Sequence, residues 1–168
     1  MTNRDFAIKW LAYGLALLPV WFLQAFLPLR ALGVRPVLLP LAAMAVATLE
    51  GPSAGAGFGL AAGALFDAAV PGELPGSMTL LFSLLGFGAG TLTRYGLRQD
   101  LSGCALCSLA ALAVMDAFRL LVRLFRAVPP APMALLAGRE ILWSLCFVIP
   151  VYLLFRWVFD RVPKAVVL

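Results

Sequence analysis

The sequence predicts an all-α membrane protein, a bundle of six transmembrane helices forming one integral-membrane domain over residues 1–168. Three observations predict it. Hydrophobic residues make up 63% of the chain, charged residues only 12%, and the mean hydropathy is +1.00, all outside the range of soluble globular domains. The apolar residues gather into runs near the ~20 residues that a helix needs to cross a bilayer. Glycine recurs at every fourth position from Gly51 through Gly55 and Gly59 to Gly63, and the next step of four lands on Asp67.

Residues 1–5 are polar, and the apolar run after them is too long for a signal-peptide core and lacks a small-residue cleavage site, so it reads as a retained first helix. Helix 1 is expected over about residues 6–27, with Pro19 a candidate kink and Gln24 a polar side chain near its end. After a turn carrying Arg30, Gly33 and Arg35, Pro36 is expected to open helix 2, which ends near Leu49 and is short for a crossing. Glu50, Gly51 and Pro52 make a tight turn into helix 3, which stops before Pro71.

Helix 3 carries the glycine ladder. A four-residue step advances a helix by about 400°, so Gly51, Gly55, Gly59 and Gly63 form one slowly drifting stripe. A stripe without side chains admits a neighbouring helix to backbone distance, the small-xxx-small packing used in lipid. Residues 71–76, Pro-Gly-Glu-Leu-Pro-Gly, read as a loop. Helix 4, about residues 77–93, repeats the close-packing theme at Gly86 and Gly90. The six glycines are the expected helix-packing or partner face.

Helix 5 starts near Leu101 and changes character after Met115, where Asp116, Arg119, Arg123 and Arg126 recur at spacings of three, four and three on one face. Pro129, Pro130 and Pro132 end that segment, and helix 6 is expected from about residue 136 to 159 with Pro150 inside it. Gln24, Asp67, Asp116 and Arg119 are the candidate intramembrane polar residues, because a charge or amide at membrane depth must find a partner. For Asp67 two placements are open, in the interior or at the helix end before Pro71. Asp116 and Arg119 either pair at depth or form a solvated face.

Several functions are disfavoured by what the chain contains. The net charge of +5 is spread over helix ends and loops with no basic stripe interleaved with aromatics, so no nucleic-acid partner is expected. There is no histidine and no GxSxG elbow. Glu50 and Asp67 would stand roughly 25 Å apart along one helix at ~1.5 Å per residue, too far for joint acid–base work. Cys104 and Cys107 make a single CxxC with too few further ligands for zinc, and with Cys146 they read as small buried thiols. No enzyme activity, cofactor or metal is expected. For six spans, one side collects Arg4, Lys9, Arg94, Arg98, Arg156, Arg161 and Lys164. The other collects Arg30, Arg35, Arg119, Arg123, Arg126 and Arg139, and this small excess puts the termini in the cytoplasm.

The order of motifs resembles a known family. Gln24, then Gly33-Val34-Arg35-Pro36, then Glu50-Gly51-Pro52-Ser53-Ala54-Gly55-Ala56 and Gly57-Phe58-Gly59-Leu60-Ala61-Ala62-Gly63-Ala64-Leu65-Phe66-Asp67 look like MreD, the rod-shape-determining membrane protein. Leu74-Pro75-Gly76-Ser77, Leu85-Gly86-Phe87-Gly88-Ala89-Gly90 and the basic Arg94 continue the resemblance, which covers roughly residues 20–98. The family commonly has an acidic residue after the Arg-Pro pair, where this chain has Val37.

The resemblance implies a non-catalytic subunit of the bacterial elongation machinery in the cytoplasmic membrane. Its implied partners are an MreC-like protein and, through it, a RodA-type glycosyltransferase and a class B penicillin-binding transpeptidase, with MreB filaments on the cytoplasmic side. The family is also similar in architecture to the substrate-binding subunits of ECF vitamin transporters. A small-ligand binding subunit is therefore the alternative, and Ala12 and Ala16 would be its small-residue docking pair on helix 1.

Overall fold

The computed structural model describes residues 3–26, 34–70, 74–96, 99–125 and 131–162. They form seven helices: α1 (Asn3–Phe26), α2 (Leu39–Glu50), α3 (Pro52–Ala69), α4 (Ser77–Tyr95), α5 (Leu101–Leu124), α6 (Ala131–Leu145) and α7 (Val148–Arg161). The turn at Arg30 and Gly33, loop residues 71–73, Arg98, Arg126 and Lys164 lie outside the described residues.

Consecutive helices run in opposite directions, with α6 and α7 forming one leg. Lys9 near the start of α1 meets Glu50 at the end of α2, and Gln24 near the end of α1 meets the start of α2. Gly55 and Gly63 of α3 lie beside Gly86 and Thr79 of α4, respectively. Arg119, late in α5, lies over Phe66, late in α3, and bonds Glu140 of α6. Tyr13, near the middle of α1, stacks on Phe155, near the middle of α7.

At the centre is α2. Its 12 residues rise only about 18 Å at ~1.5 Å each, too little to cross a bilayer alone. Every residue from Pro36 to Thr48 is buried, and the helix packs against α1, α3, α4, α5 and α7. Such burial on all sides is the reason that its sequence is apolar all round rather than amphipathic. Beside it, Tyr13, Phe58 and Phe155 form an aromatic knot with ring centroids 5.5–6.3 Å apart.

The outer faces are apolar as well. Leu11, Leu15, Leu80, Leu84, Leu142 and Leu153 are all exposed, a surface suited to lipid rather than water. Two helical stretches, Ala7–Phe26 and Leu101–Leu124, are long and apolar enough to cross a membrane, and Leu135–Leu145 with Val148–Arg161 makes a third if that bent pair counts as one span. The chain is thus an all-helical protein of membrane character with two or three candidate spans among the described residues, short of the six expected. α3 and α4, with 18 and 19 residues, have the length but are diluted by glycine, serine, threonine and, in α3, Asp67.

Three element boundaries differ from the sequence reading. Helix 2 begins at Leu39, not Pro36, with Pro40 in its first turn; its opening N–H groups are held by side chains of other helices. Helix 6 starts at Ala131, because Pro132 falls in the first turn where a missing N–H costs nothing. It then breaks at residues 146 and 147 into α6 and α7, bent by 44°. Pro150 explains the break: it cannot donate, and its ring crowds the carbonyl four residues back, that of Cys146. Pro19 has no such effect, since α1 runs through it as one helix.

Candidate functional site: a glycine seam and four polar clusters

The glycine ladder lies between α3 and α4. A Cβ on Gly55 would come 2.5 Å from the Gly86 carbonyl oxygen and 2.6 Å from Ala47 Cβ of α2. One on Gly63 would come 2.5 Å from Thr79 Cα, and one on Gly90 would come 2.5 Å from Pro52 Cα. Gly59 and Gly86 sit as tightly, against the backbone carbonyls of Phe82 and Gly55. Five of the six glycines, Gly55, Gly59, Gly63, Gly86 and Gly90, therefore form one seam filled by the chain itself, so the ladder does not serve as an open partner face. Gly51 differs. A Cβ there would meet nothing within 4 Å, and its φ of 98° is what requires glycine at the α2–α3 turn.

The polar candidates act mainly at helix ends. Gln24 Oε1 accepts the Leu38 and Leu39 N–H groups, each at 2.9 Å, and Ser144 Oγ accepts the Val37 N–H at 2.9 Å. These are opening donors of a helix with no cap of its own, and a buried N–H left unpaired costs about 1–3 kcal/mol. Two residues from α1 and α6 thus cap α2 in trans.

Asp67 does the same for α4. Its Oδ2 accepts the Thr79 N–H at 3.0 Å and the Thr79 hydroxyl at 2.7 Å, in the first turn of a helix whose N-cap, Gly76, has no side chain. A carboxylate suits this position because a helix N-terminus carries partial positive charge. Asp67 is partly buried, and its other oxygen, Oδ1, is buried without a hydrogen-bond partner.

At the opposite end of α2, Glu50 faces a negative helix terminus, which is unfavourable for a carboxylate. Lys9 offsets this by pairing with Glu50 Oε2, and the Tyr13 hydroxyl donates to Oε1 at 2.7 Å. Lys9 and Glu50 are only 12% and 11% exposed, so the pair is an interior feature.

The fourth cluster joins α5 and α6. Arg119 Nη1 lies 3.1 Å from Glu140 Oε1 and 3.6 Å from Asp116 Oδ1, and the guanidinium sits 5.3 Å from the Phe66 ring centroid. Asp116 is 9% exposed and its Oδ2 has no hydrogen-bond partner. The solvated-face alternative for Asp116 is thereby excluded: α5 stays helical and packed past Met115. Glu140 of α6 is Arg119's nearest acid.

Lys9, Tyr13 and Ser144 were not singled out from the sequence. A lysine inside an apolar run and a glutamate closing an apolar helix are a signal that each needs the other, but nothing in their spacing of 41 residues pairs them. Cys104 and Cys107 are buried, with Cys104 Sγ 4.0 Å from Ser108 Oγ. Cys146 is a correction, being exposed at the α6–α7 break rather than buried. Among the described residues no group of three histidine, cysteine or acidic side chains could hold a metal ion.

Chemically, these clusters tie helices to one another. Each takes a group that would be costly in lipid and matches it to a helix terminus or an opposite charge. No protein-family model, curated protein or solved structure matches the chain.

Proposed function

We propose that this chain is a non-catalytic, six-span subunit of the bacterial elongation machinery, of the MreD type, in the cytoplasmic membrane with both termini in the cytoplasm. The six spans are α1, α2 with the non-helical residues 34–38 before it, α3, α4, α5, and α6 with α7. The subunit holds the single spanning helix of an MreC-like partner and so sets the position of that partner's outer domain. Through it, a RodA-type glycosyltransferase and a class B penicillin-binding transpeptidase are placed over MreB.

The observation that carries this reading is the ordered block from Glu50 to Gly90, whose glycines fuse α3 and α4 at backbone distance. It is the same block on which the resemblance rests. A seam of this kind gives a stiff platform, because backbone atoms cannot yield as flexible side chains do. The polar side chains argue in the same direction. A vitamin-binding subunit needs several polar groups converging on a pocket, whereas Gln24, Glu50, Asp67 and Arg119 are each engaged within the chain.

Depletion in the native rod-shaped cell tests the proposal. Loss of rod shape with normal small-molecule uptake is the expected outcome. Retained shape with loss of uptake of one vitamin would overturn it in favour of the transporter alternative.

A further inference from the structure

Ile149, Leu153, Trp157 and Arg161 recur along α7 at steps of four, so they form one nearly straight stripe. All four are exposed, while Val151, Tyr152, Phe155 and Val158 turn the opposite face into the core. The depth of the stripe follows from α1, which runs antiparallel to α7. Phe155 stacks on Tyr13. Arg161 lies six residues after Phe155, and Ala7, where a candidate span begins, lies six residues before Tyr13. Arg161 is therefore level with the edge of the apolar layer. Ile149, six residues to the other side of Phe155, is level with Pro19, just past the middle of the Ala7–Phe26 span. From Ile149 to Arg161 the helix rises about 18 Å at ~1.5 Å per residue, against ~15 Å for the hydrocarbon of one leaflet.

We propose that this stripe binds one anionic phospholipid, with its phosphate on Arg161 and an acyl chain along Trp157, Leu153 and Ile149. The Arg161 guanidinium carbon stands 4.0 Å from the centroid of the Trp157 ring, a cation–π contact that holds the charge over the apolar stripe. Stacking occupies one face of a guanidinium and leaves its in-plane N–H fork open, the edge that matches a phosphate with two hydrogen bonds. None of the ion pairs among the described residues involves Arg161. The exposed face at this end of α7 carries Arg156 and Arg161 against Asp160, two cations to one acid, and Asp160 has an interaction of its own. Charge complementarity thus selects the lipid. A phosphate offers the acceptors that the fork lacks, and a headgroup without its own cation suits a face with surplus positive charge. This end of α7 is also the end of the bundle where Lys9 meets Glu50, cytoplasmic in the topology proposed above, and anionic lipids enrich that leaflet.

The test is native mass spectrometry of the delipidated full chain, titrated with equal amounts of phosphatidylglycerol and phosphatidylcholine. The first lipid bound is expected to be phosphatidylglycerol, by about tenfold over phosphatidylcholine. Arg161→Gln should bring that ratio to near parity. Arg161→Lys should lower it about threefold, because the charge remains and the fork is lost. Leu153→Ser should weaken both lipids alike and leave the ratio unchanged, since it touches only the acyl chain. Arg94→Gln is the control, removing an exposed cation in the last turn of α4 at the same end of the bundle, and should change nothing. Equal binding of the two lipids by the parent would overturn the proposal, because no headgroup is then selected. An equal fall in Arg94→Gln and Arg161→Gln would also overturn it, since the attraction would then belong to the whole basic surface.

Discussion

Replacing Gly59 by alanine adds one methyl group to the α3–α4 seam and tests whether the seam is as tight as its geometry. The new Cβ would stand 2.8 Å from the Phe82 carbonyl carbon and 3.2 Å from Ser83 Cα, and closer still to the Phe82 oxygen, where ordinary contact begins at 3.4 Å. The carbon alone requires a shift of 0.6 Å, from 2.8 to 3.4 Å, and the oxygen requires more, so the helices must part by roughly 1 Å. All three neighbours are backbone atoms, so no rotamer change relieves the clash. Overpacking of this kind costs about 1–3 kcal/mol. A gap of ~0.5–1 Å also forfeits a quarter to a half of each dispersion contact along the seam.

Two controls add the same methyl on the same helices. Gly57→Ala meets only Trp10 at 3.8 Å, and Gly88→Ala meets nothing within 4 Å. Reversible unfolding in mixed micelles, followed by tryptophan fluorescence, should show Gly59→Ala losing about 1–3 kcal/mol. The controls should change by no more than ~1 kcal/mol, in the stabilising direction, since alanine is the better helix former. Equal loss in all three variants would refute the seam as the source of rigidity.

The same unfolding assay checks the polar clusters. Gln24→Leu leaves the Leu38 and Leu39 N–H groups without their acceptor and should cost about 1–3 kcal/mol, while an unchanged midpoint would show that α2 needs no cap in trans. Asp67→Ala should cost about 1 kcal/mol as a lost helix cap, and Asp67→Asn less, because an amide oxygen can still accept from Thr79; a larger loss in the asparagine variant would rule out capping as the role of Asp67. Lys9→Met should cost about 3 kcal/mol by leaving Glu50 charged with only Tyr13 beside it, and Lys9→Met with Glu50→Gln should recover much of that loss. A double variant no better than the single would mean that the charge pair is not what holds these ends together.

The sequence was legible where one element's chemistry decides its structure. Glycine at every fourth position of an apolar helix makes a bare stripe for close packing, and the structure fills it with α4, a partner that the spacing alone left open. Gly51 shows the limit of that rule, since it has the right spacing but lies at a turn, where φ rather than packing selects glycine. Pro150 was read as lying inside one helix 6, yet the chain breaks at residues 146 and 147, because a proline acts on the preceding turn. The start of α2 was misplaced for a different reason. Its first N–H groups are bonded by Gln24 and Ser144, the latter 107 positions away, and no local signal encodes a cap supplied by another helix. Asp116 and Arg119 could be paired by their spacing, whereas Glu140, 21 residues beyond Arg119, enters only through the packing of α6 on α5.

The central claim is that this packed helical platform holds a protein rather than a small molecule. Native mass spectrometry of the tagged full chain, extracted from its own membranes in mild detergent, tests this most directly. A stoichiometric complex with a protein bearing one spanning helix and a large outer domain, with or without a RodA-type synthase, is the predicted result. A chain that carries a bound small molecule, or emerges with paired ATPases and a transmembrane coupling subunit, would contradict it.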